Sequence, residues 1–178
     1  MRCMKEFVEE GSKVLEIGCG NGHLLAGLNP SYGVGIDISQ GMISEAKNKY
    51  KNLIFIEVDI ENKSSLNKLD TVFDYIIISD TIGYFNDIQS TLDSLHKLCN
   101  VDTRIIVAYY SPLWEPILNM AAKLKIKMPE LTKSLLNEND ISSLLNSSKF
   151  ETVKKQKKII FPFKFLGIGR DINRFLAC

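Results

Sequence analysis

Val14-Leu15-Glu16-Ile17-Gly18-Cys19-Gly20-Asn21-Gly22 is an apolar run of strand length that breaks into three alternating glycines and then enters a helical segment, Leu24 to Leu28. Glycine at such a strand-to-helix turn permits a tight reversal and lets a ligand come close to the backbone. A dinucleotide-binding loop, G-x-G-x-x-G, begins in the same way. Here the third glycine comes one residue early for that fingerprint, and Ala26 or Gly27 comes too late to replace it. Glu16, two residues ahead of the first glycine, adds a charge argument. A carboxylate there repels a pyrophosphate and attracts a ligand that carries cationic groups.

Outward from this loop, strand-length runs rich in Ile, Val and Phe alternate with segments of helical period, the pattern of a parallel sheet covered by helices on both faces. The strands are predicted at Lys13 to Ile17, Gly33 to Ile36, Leu53 to Val58, Tyr75 to Ser79 and Arg104 to Tyr110. Between the second and third, Ser39 is a predicted N-cap, and Met42, Ile43, Ala46 and Tyr50 form one buried stripe. Between the fourth and fifth, Ile88, Leu92, Leu95 and Leu98 do the same behind Asn86. Later segments are a helical stripe over Ile117, Leu118, Ala121 and Leu124, opened by Pro116, and a shorter helix from near Asn137 carrying Ile141, Leu144 and Leu145. A last strand is predicted over roughly Glu151 to Phe161. The fold class is α/β: a Rossmann-like, doubly wound, mostly parallel sheet flanked by helices, in a single domain over residues 1–178.

Acids recur at the carboxyl ends of successive strands. Asp37 ends the second, Asp59 the third and Asp80 the fourth, on the edge where such sheets bind ligands. Any one Asp after a strand is often only a turn former. The coincidence of all three with Glu16 and the glycines favours a ligand site. Asp37 also stands where a doubly wound sheet places the acid that accepts hydrogen bonds from ribose hydroxyls.

The composition narrows the function classes. Lys and Arg number 22 against 21 Asp and Glu, a formal charge of +1, and 45% of residues are apolar. That balance supplies no general grip on nucleic acid, which needs a basic patch. The basic cluster Lys154, Lys155, Lys157 and Lys158 reads as a strand edge kept from pairing by its lysines. Cys3, Cys19, Cys99 and Cys178 form no C-x-x-C pair, so no zinc site is indicated and reduced thiols in the cytoplasm are expected. No signal core or window of 18 uncharged apolar residues is present, so neither secretion nor a transmembrane segment is expected.

V-L-E-I-G-C-G-N-G, G-I-D-I-S, V-D-I-E and F-D-Y-I-I-I-S-D, together covering roughly Lys13 to Tyr110, resemble the successive motifs of class I S-adenosylmethionine-dependent methyltransferases. The likeness is to the small-molecule branch that includes the ubiquinone and menaquinone enzymes, of methyltransferase-domain type 11/12. It implies S-adenosyl-L-methionine as cofactor and a small-molecule acceptor. Glu16 would support the first loop and contact the methionine ammonium, and Gly18, Cys19, Gly20 and Gly22 would offer backbone to the methionine and ribose. Asp37 would hold the ribose hydroxyls, Ile38 and Met42 would pack on adenine, and Asp59 with Ile60 would meet the adenine edge. Ser79, Asp80 and Thr81 would line the cavity near the transferable methyl. General-base candidates are Asp80, Tyr109 and Tyr110, with His23 behind them as a first-turn helix residue. His96 is expected to face solvent. Tyr109 to Pro116, around Trp114 and between Pro112 and Pro116, is similar to a segment of methyltransferase domains that accompany bacterial glycosyltransferases.

Two departures from the family pattern qualify this reading. Only about a dozen residues precede the first strand, where the family usually carries one or two helices, and Asn173 to Ala177 is all that remains for a closing strand after Phe161-Pro162-Phe163-Lys164-Phe165, Gly167 and Gly169. The expectation is abbreviated N-terminal helices and a short or missing last strand, with either a homo-oligomer covering the open edge or a chain truncated at both ends from a longer gene product. The competing functional class is a non-catalytic S-adenosylmethionine-binding regulatory or partner subunit. A dinucleotide-dependent oxidoreductase is disfavoured by Glu16 and the glycine spacing.

Overall fold

A computed structural model describes residues 4–62, 64–109 and 136–156. Its strands are β1 (Lys13–Ile17), β2 (Tyr32–Asp37), β3 (Ile54–Glu57), β4 (Tyr75–Ser79) and β5 (Arg104–Ala108), all parallel, in the order β3-β2-β1-β4-β5. The central β1 pairs on both sides, with Leu15 opposite Val34 of β2 and Ile76 of β4. Strands in such positions are covered on both faces, which is why β1 and β4 read as nearly unbroken apolar runs.

Side chains alternate faces along each strand, and the two faces meet different helices. The helices are α1 (His23–Leu28), α2 (Gln40–Lys49), α3 (Ile88–Ser94) and α4 (Glu138–Ser147). Leu15, Ile17, Ile76 and Ile78 join Leu66, Phe73, Leu92, Leu95, Leu98 and Ile141 on one side. Val14 and Ile77 join Leu25, Ile43, Ala46 and Phe55 on the other. Each fully buried Leu, Ile or Phe contributes roughly 1.5–3 kcal/mol of transfer free energy. Glu16 is two residues on from Val14, so the same alternation turns its carboxyl toward α1.

The helix starts follow their caps. Ser39 Oγ accepts from Met42 N at 3.4 Å, as the sequence predicts. Ile43 and Ala46 are buried and Tyr50 half-buried, whereas Met42 leaves the predicted stripe and is 45% exposed. The cap of α3 is Asp87, not Asn86: its carboxylate accepts from Ser90 N at 2.9 Å, and the Asn86 amide is turned away toward Glu61. α4 opens with a reciprocal box, Asn137 Oδ1 accepting from Asp140 N at 3.0 Å and Asp140 Oδ2 from Asn137 N at 2.8 Å. It docks beside α3, where Gln89 Nε2 donates to the buried Ser148 hydroxyl at 2.6 Å. His96 is exposed, as expected, yet engaged: it lies in a one-turn 3-10 helix, with Nε2 2.7 Å from Ser148 O and its ring stacked 4.3 Å from Phe150.

Ahead of β1, the described chain carries a single 3-10 turn, Met4–Glu6. The predicted last strand is not formed in residues 151–156, the described part of its range. No ladder reaches them, Val153 is 91% exposed, and Lys154 Nζ lies 5.0 Å over the Phe7 ring. Tyr110, the Pro112 to Pro116 bracket, the Ile117 to Leu124 stripe, Lys157, Lys158 and the closing segment lie outside the described residues. No helix among the described residues is long and apolar enough to cross a membrane.

Candidate active site

The strand order reverses between β1 and β4, which opens a crevice at the carboxyl ends of the strands. The chain leaving β1 (residues 18–22), β2 (37–42), β3 (58–62) and β4 (80–87) comes to this edge. These four stretches carry Asp37, Asp59, Glu61, Asp80 and Asp87, and neither lysine nor arginine. Their electrostatics suit a cationic ligand and oppose a pyrophosphate.

The glycine loop is left-handed at all three glycines, with φ of 72° at Gly18, 51° at Gly20 and 75° at Gly22. A Cβ at Gly18 would overlap the Thr81 side chain, and one at Gly22 would stand 2.5 Å from the Phe55 ring. A Cβ at Gly20 would meet nothing within 4 Å. The outer two glycines therefore let the loop pack on protein, and the middle one faces open space. Gly18 N and Cys19 N both donate to Ile36 O, at 2.8 and 3.0 Å, which ties the loop to β2. The Cys19 side chain is buried, and burial together with Glu16 and Asp37 pushes its thiol far above the usual range. A thiol held protonated in this way is a poor nucleophile, and the Cys19 backbone is taken up within the loop, its carbonyl accepting from Gly22 N at 2.9 Å.

Asp37 braces this loop from the end of β2. Its Oδ2 accepts from Gly20 N at 2.8 Å and its Oδ1 from Ser39 N at 2.9 Å, and the carboxylate remains half-exposed. Glu16 lies deeper, 3% exposed, with Oε2 accepting from Leu25 N of α1 at 3.0 Å. Burial pushes its carboxyl up to about 8; the Leu25 N–H pulls it down in part, and the Asp37 charge adds to the rise.

Beside Asp37, Ile38 is 71% exposed and Met42 follows in the first turn of α2, an apolar ledge on an otherwise polar rim. Asp59 is exposed and closes a turn by accepting from Glu61 N at 3.0 Å, while Ile60 is buried. After β4, Thr81 Oγ1 donates to Ser79 O at 2.9 Å, and Asp80 sits in the left-handed region at φ 57°, its N–H donating to Ala108 O at 2.8 Å. Left-handed residues other than glycine are costly and cluster at functional sites. Of the base candidates, Asp80 stands at this edge, Tyr109 packs against the core on the α3 side, and Tyr110 lies outside the described residues. His23 is exposed at the start of α1, with Nδ1 3.0 Å from the Tyr50 hydroxyl. No group of His, Cys, Asp and Glu among the described residues could hold a metal ion.

Thr81, expected at the site from the sequence, is also the surface against which Gly18 must be a glycine. One participant, Glu61, escaped the sequence reading. Glu61 Oε2 accepts from Asn86 Nδ2 at 2.7 Å and Oε1 from Asp87 N at 2.8 Å, joining the turn after β3 to the loop after β4. Its position in V-D-I-E marked it as part of a motif, but nothing local points to a partner 25 residues away.

With this geometry in hand, the likeness to known proteins is specific. A family profile described as "Methyltransferase domain" matches residues 8–161. The demethylmenaquinone methyltransferase of Staphylococcus saprophyticus is 28% identical over 164 residues, 88% of this chain and 70% of that protein. The malonyl-[acyl-carrier protein] O-methyltransferase of Priestia megaterium is 33% identical over 97 residues, 51% of this chain and 34% of its own length. Against two Staphylococcus epidermidis demethylmenaquinone methyltransferases the chain spans 65% of their length. A crystal structure of an S-adenosylmethionine-dependent methyltransferase from Thermotoga maritima, a possible histamine N-methyltransferase, superposes with a TM-score of 0.66 over 85% of this chain and 69% of that one, at 18% identity, a likeness of fold. This chain belongs to the class I S-adenosylmethionine-dependent methyltransferases, enzymes whose cofactor is S-adenosyl-L-methionine.

Proposed function

We propose that this chain binds S-adenosylmethionine in the crevice between β1 and β4 and transfers its methyl group to a small-molecule acceptor. The observation that carries the reading is the pairing of an open-faced Gly20 with the half-exposed Asp37 that braces it, beside stretches 18–22, 37–42, 58–62 and 80–87 that hold neither lysine nor arginine. When bound, the cofactor supplies an electrophilic sulfonium methyl. The residues supply alignment. Asp37 keeps lone pairs for the ribose hydroxyls beyond the two backbone bonds it already accepts, and charge-assisted hydrogen bonds of this kind contribute roughly 1.5–3 kcal/mol each. Ile38 and Met42 offer apolar surface to the adenine, Asp59 with Ile60 meets its edge, and Glu16 below the loop answers the ammonium.

Ser79, Asp80 and Thr81 border the place where an acceptor must approach. Positioning of two reactants can be worth roughly 7–11 kcal/mol in favourable cases, so alignment alone is a sufficient catalytic role. For an oxygen acceptor, Asp80 is the proposed base, a reading supported by its position at the end of β4, and Tyr109 ranks behind it because it packs against the core. The related proteins bear names with chemically different acceptors, demethylmenaquinone and malonyl-[acyl-carrier protein], and this chain's acceptor belongs to neither by that likeness alone.

Calorimetric titration with S-adenosylmethionine and S-adenosylhomocysteine, with NAD as control and an Asp37→Ala variant, tests the reading. Binding of both sulfur compounds, weakened in the variant and absent for NAD, is the expected outcome. Failure of a folded sample to bind either one would overturn it. Binding with no turnover against a panel of quinol, amine and carboxylate acceptors would favour a regulatory, non-catalytic subunit instead. Sedimentation analysis of the same sample tests the expected self-association.

A further inference from the structure

β3 and β4 are not neighbours: β2 and β1 lie between them in the sheet. With strands about 4.8 Å apart, the carboxyl ends of β3 and β4 are separated by about 14 Å. Glu61 bridges the chain segments that leave those two ends. Its own N–H donates to Asp59 Oδ1 at 3.0 Å, so the turn Asp59-Ile60-Glu61 is closed on one side. Its carboxylate then accepts from the Asn86 side chain at 2.7 Å and from Asp87 N at 2.8 Å on the other. Asp87 continues the connection into α3, where its carboxylate caps Ser90 N at 2.9 Å and its carbonyl accepts from the buried Thr91 hydroxyl at 2.8 Å. The far end of the same loop begins at Thr81, packed against Gly18.

Resting on the cofactor site proposed above, we propose that Glu61 is a positioning residue that couples cofactor binding to the shape of the acceptor side. A ligand that engages the Asp59-Ile60 turn also orders the segment 81–87 through Glu61. The coupling is carried by hydrogen bonds, and the negative charge of Glu61 is not what the cofactor reads. The two bonds are short, at 2.7 and 2.8 Å, and lie at the surface, with Glu61 half-buried between exposed partners. Two loops that bend separately become one body when joined in this way.

The test is amide hydrogen exchange of segment 81–87 with and without S-adenosylhomocysteine, in the whole chain, for wild type, Glu61→Ala and Glu61→Gln, with calorimetric affinity for the same ligand measured in parallel. Wild type should show ligand-induced slowing of exchange at both 59–61 and 81–87. Glu61→Ala, which removes both acceptors, should bind the ligand and keep the slowing at 59–61 while losing it at 81–87. Glu61→Gln should restore it, because a glutamine oxygen accepts from Asp87 N and the Asn86 amide can turn over to meet the new N–H group. Unchanged slowing at 81–87 in the alanine variant would overturn the coupling. A glutamine variant that behaves like alanine would overturn the hydrogen-bond account in favour of charge. Absence of ligand binding by wild type would instead sink the site on which the inference stands, so the two failures are distinguishable.

Discussion

Three glycines at the loop are not equivalent, and the difference predicts two kinds of mutant. Gly18→Ala places a methyl on a backbone at φ 72° and drives it into Thr81. The left-handed conformation alone costs an L-residue about 1–2 kcal/mol, and the overlap adds to it. Urea unfolding should therefore show a clear loss of stability. Gly20→Ala carries a comparable backbone cost but no overlap, and its methyl projects into the open side of the loop. Its distinctive loss should be in ligand affinity, read by calorimetry with S-adenosylhomocysteine. Glu16 gives a second prediction at this scale. Its folded pKa, about 8, lies above the ordinary 4.5, so the folded state holds a proton that the unfolded state releases between those values. Stability from this group is fully present below 4.5 and is lost as pH rises through 8, levelling off above. The urea midpoint of the unliganded protein should fall between about pH 5 and pH 8, and Glu16→Gln should flatten that fall. A cationic cofactor favours the ionised carboxylate, so its affinity in the wild type should climb as pH rises through about 8. The presence of Glu16 was legible in the sequence because a charge in an apolar strand is conspicuous. Its protonation was not, since that follows from burial under α1.

At the scale of elements, β1 and β4 were placed to the residue because apolar runs bounded by Gly18 and Asp80 leave no freedom in their ends. The two strands on the β3 side moved by one residue at each end, β2 longer and β3 shorter than predicted. Leu53 and Val58 are buried yet lie outside β3, because burial, which the sequence reports, is not the same as ladder pairing, which it does not. Met42 shows the same limit in a helix: its spacing matches the buried stripe, but the first turn of α2 overhangs the sheet edge and finds no partner surface. The exchange of Asn86 for Asp87 as the α3 cap has a tertiary cause, since Glu61 claims the Asn86 amide. It leads to a test. Asp87→Ala should cost about 0.5–2 kcal/mol through the lost cap at Ser90 N. Asn86→Ala removes a hydrogen bond at the surface, from an exposed side chain to the half-buried Glu61, and should cost less than half as much. Parallel thermal or urea unfolding of the two variants separates the assignments, and a larger loss for Asn86→Ala would return the cap to Asn86.

Across the whole molecule, the site exists only when the sheet does. Residues 18–22, 37–42, 58–62 and 80–87 are scattered over seventy positions of sequence, and parallel pairing in the order β3-β2-β1-β4 is what delivers them to one edge. Sequence motifs named most of these residues, because each follows a recognisable strand, but the joints between them, Thr81 on Gly18 and Glu61 on Asp87, arise only from the assembled sheet. A ligand that spans several of these stretches should bind the folded chain and not the unfolded one, and its affinity should appear as stability. At a free concentration a hundred times its Kd, S-adenosylhomocysteine should add about 2.7 kcal/mol. For a chain of this size, where each kcal/mol moves Tm by about 2–4 °C, that is a rise of about 5–11 °C. Asp37→Ala is the informative variant. It leaves Gly20 N and Ser39 N without their acceptor, so the unliganded protein should itself melt lower. The quantity that reports on the site is therefore each protein's own shift on adding ligand. That shift should be large for the wild type and nearly vanish for Asp37→Ala at the same ligand concentration. Equal shifts in the two proteins would mean that the ligand is held elsewhere, and that Asp37 serves the loop and not the cofactor.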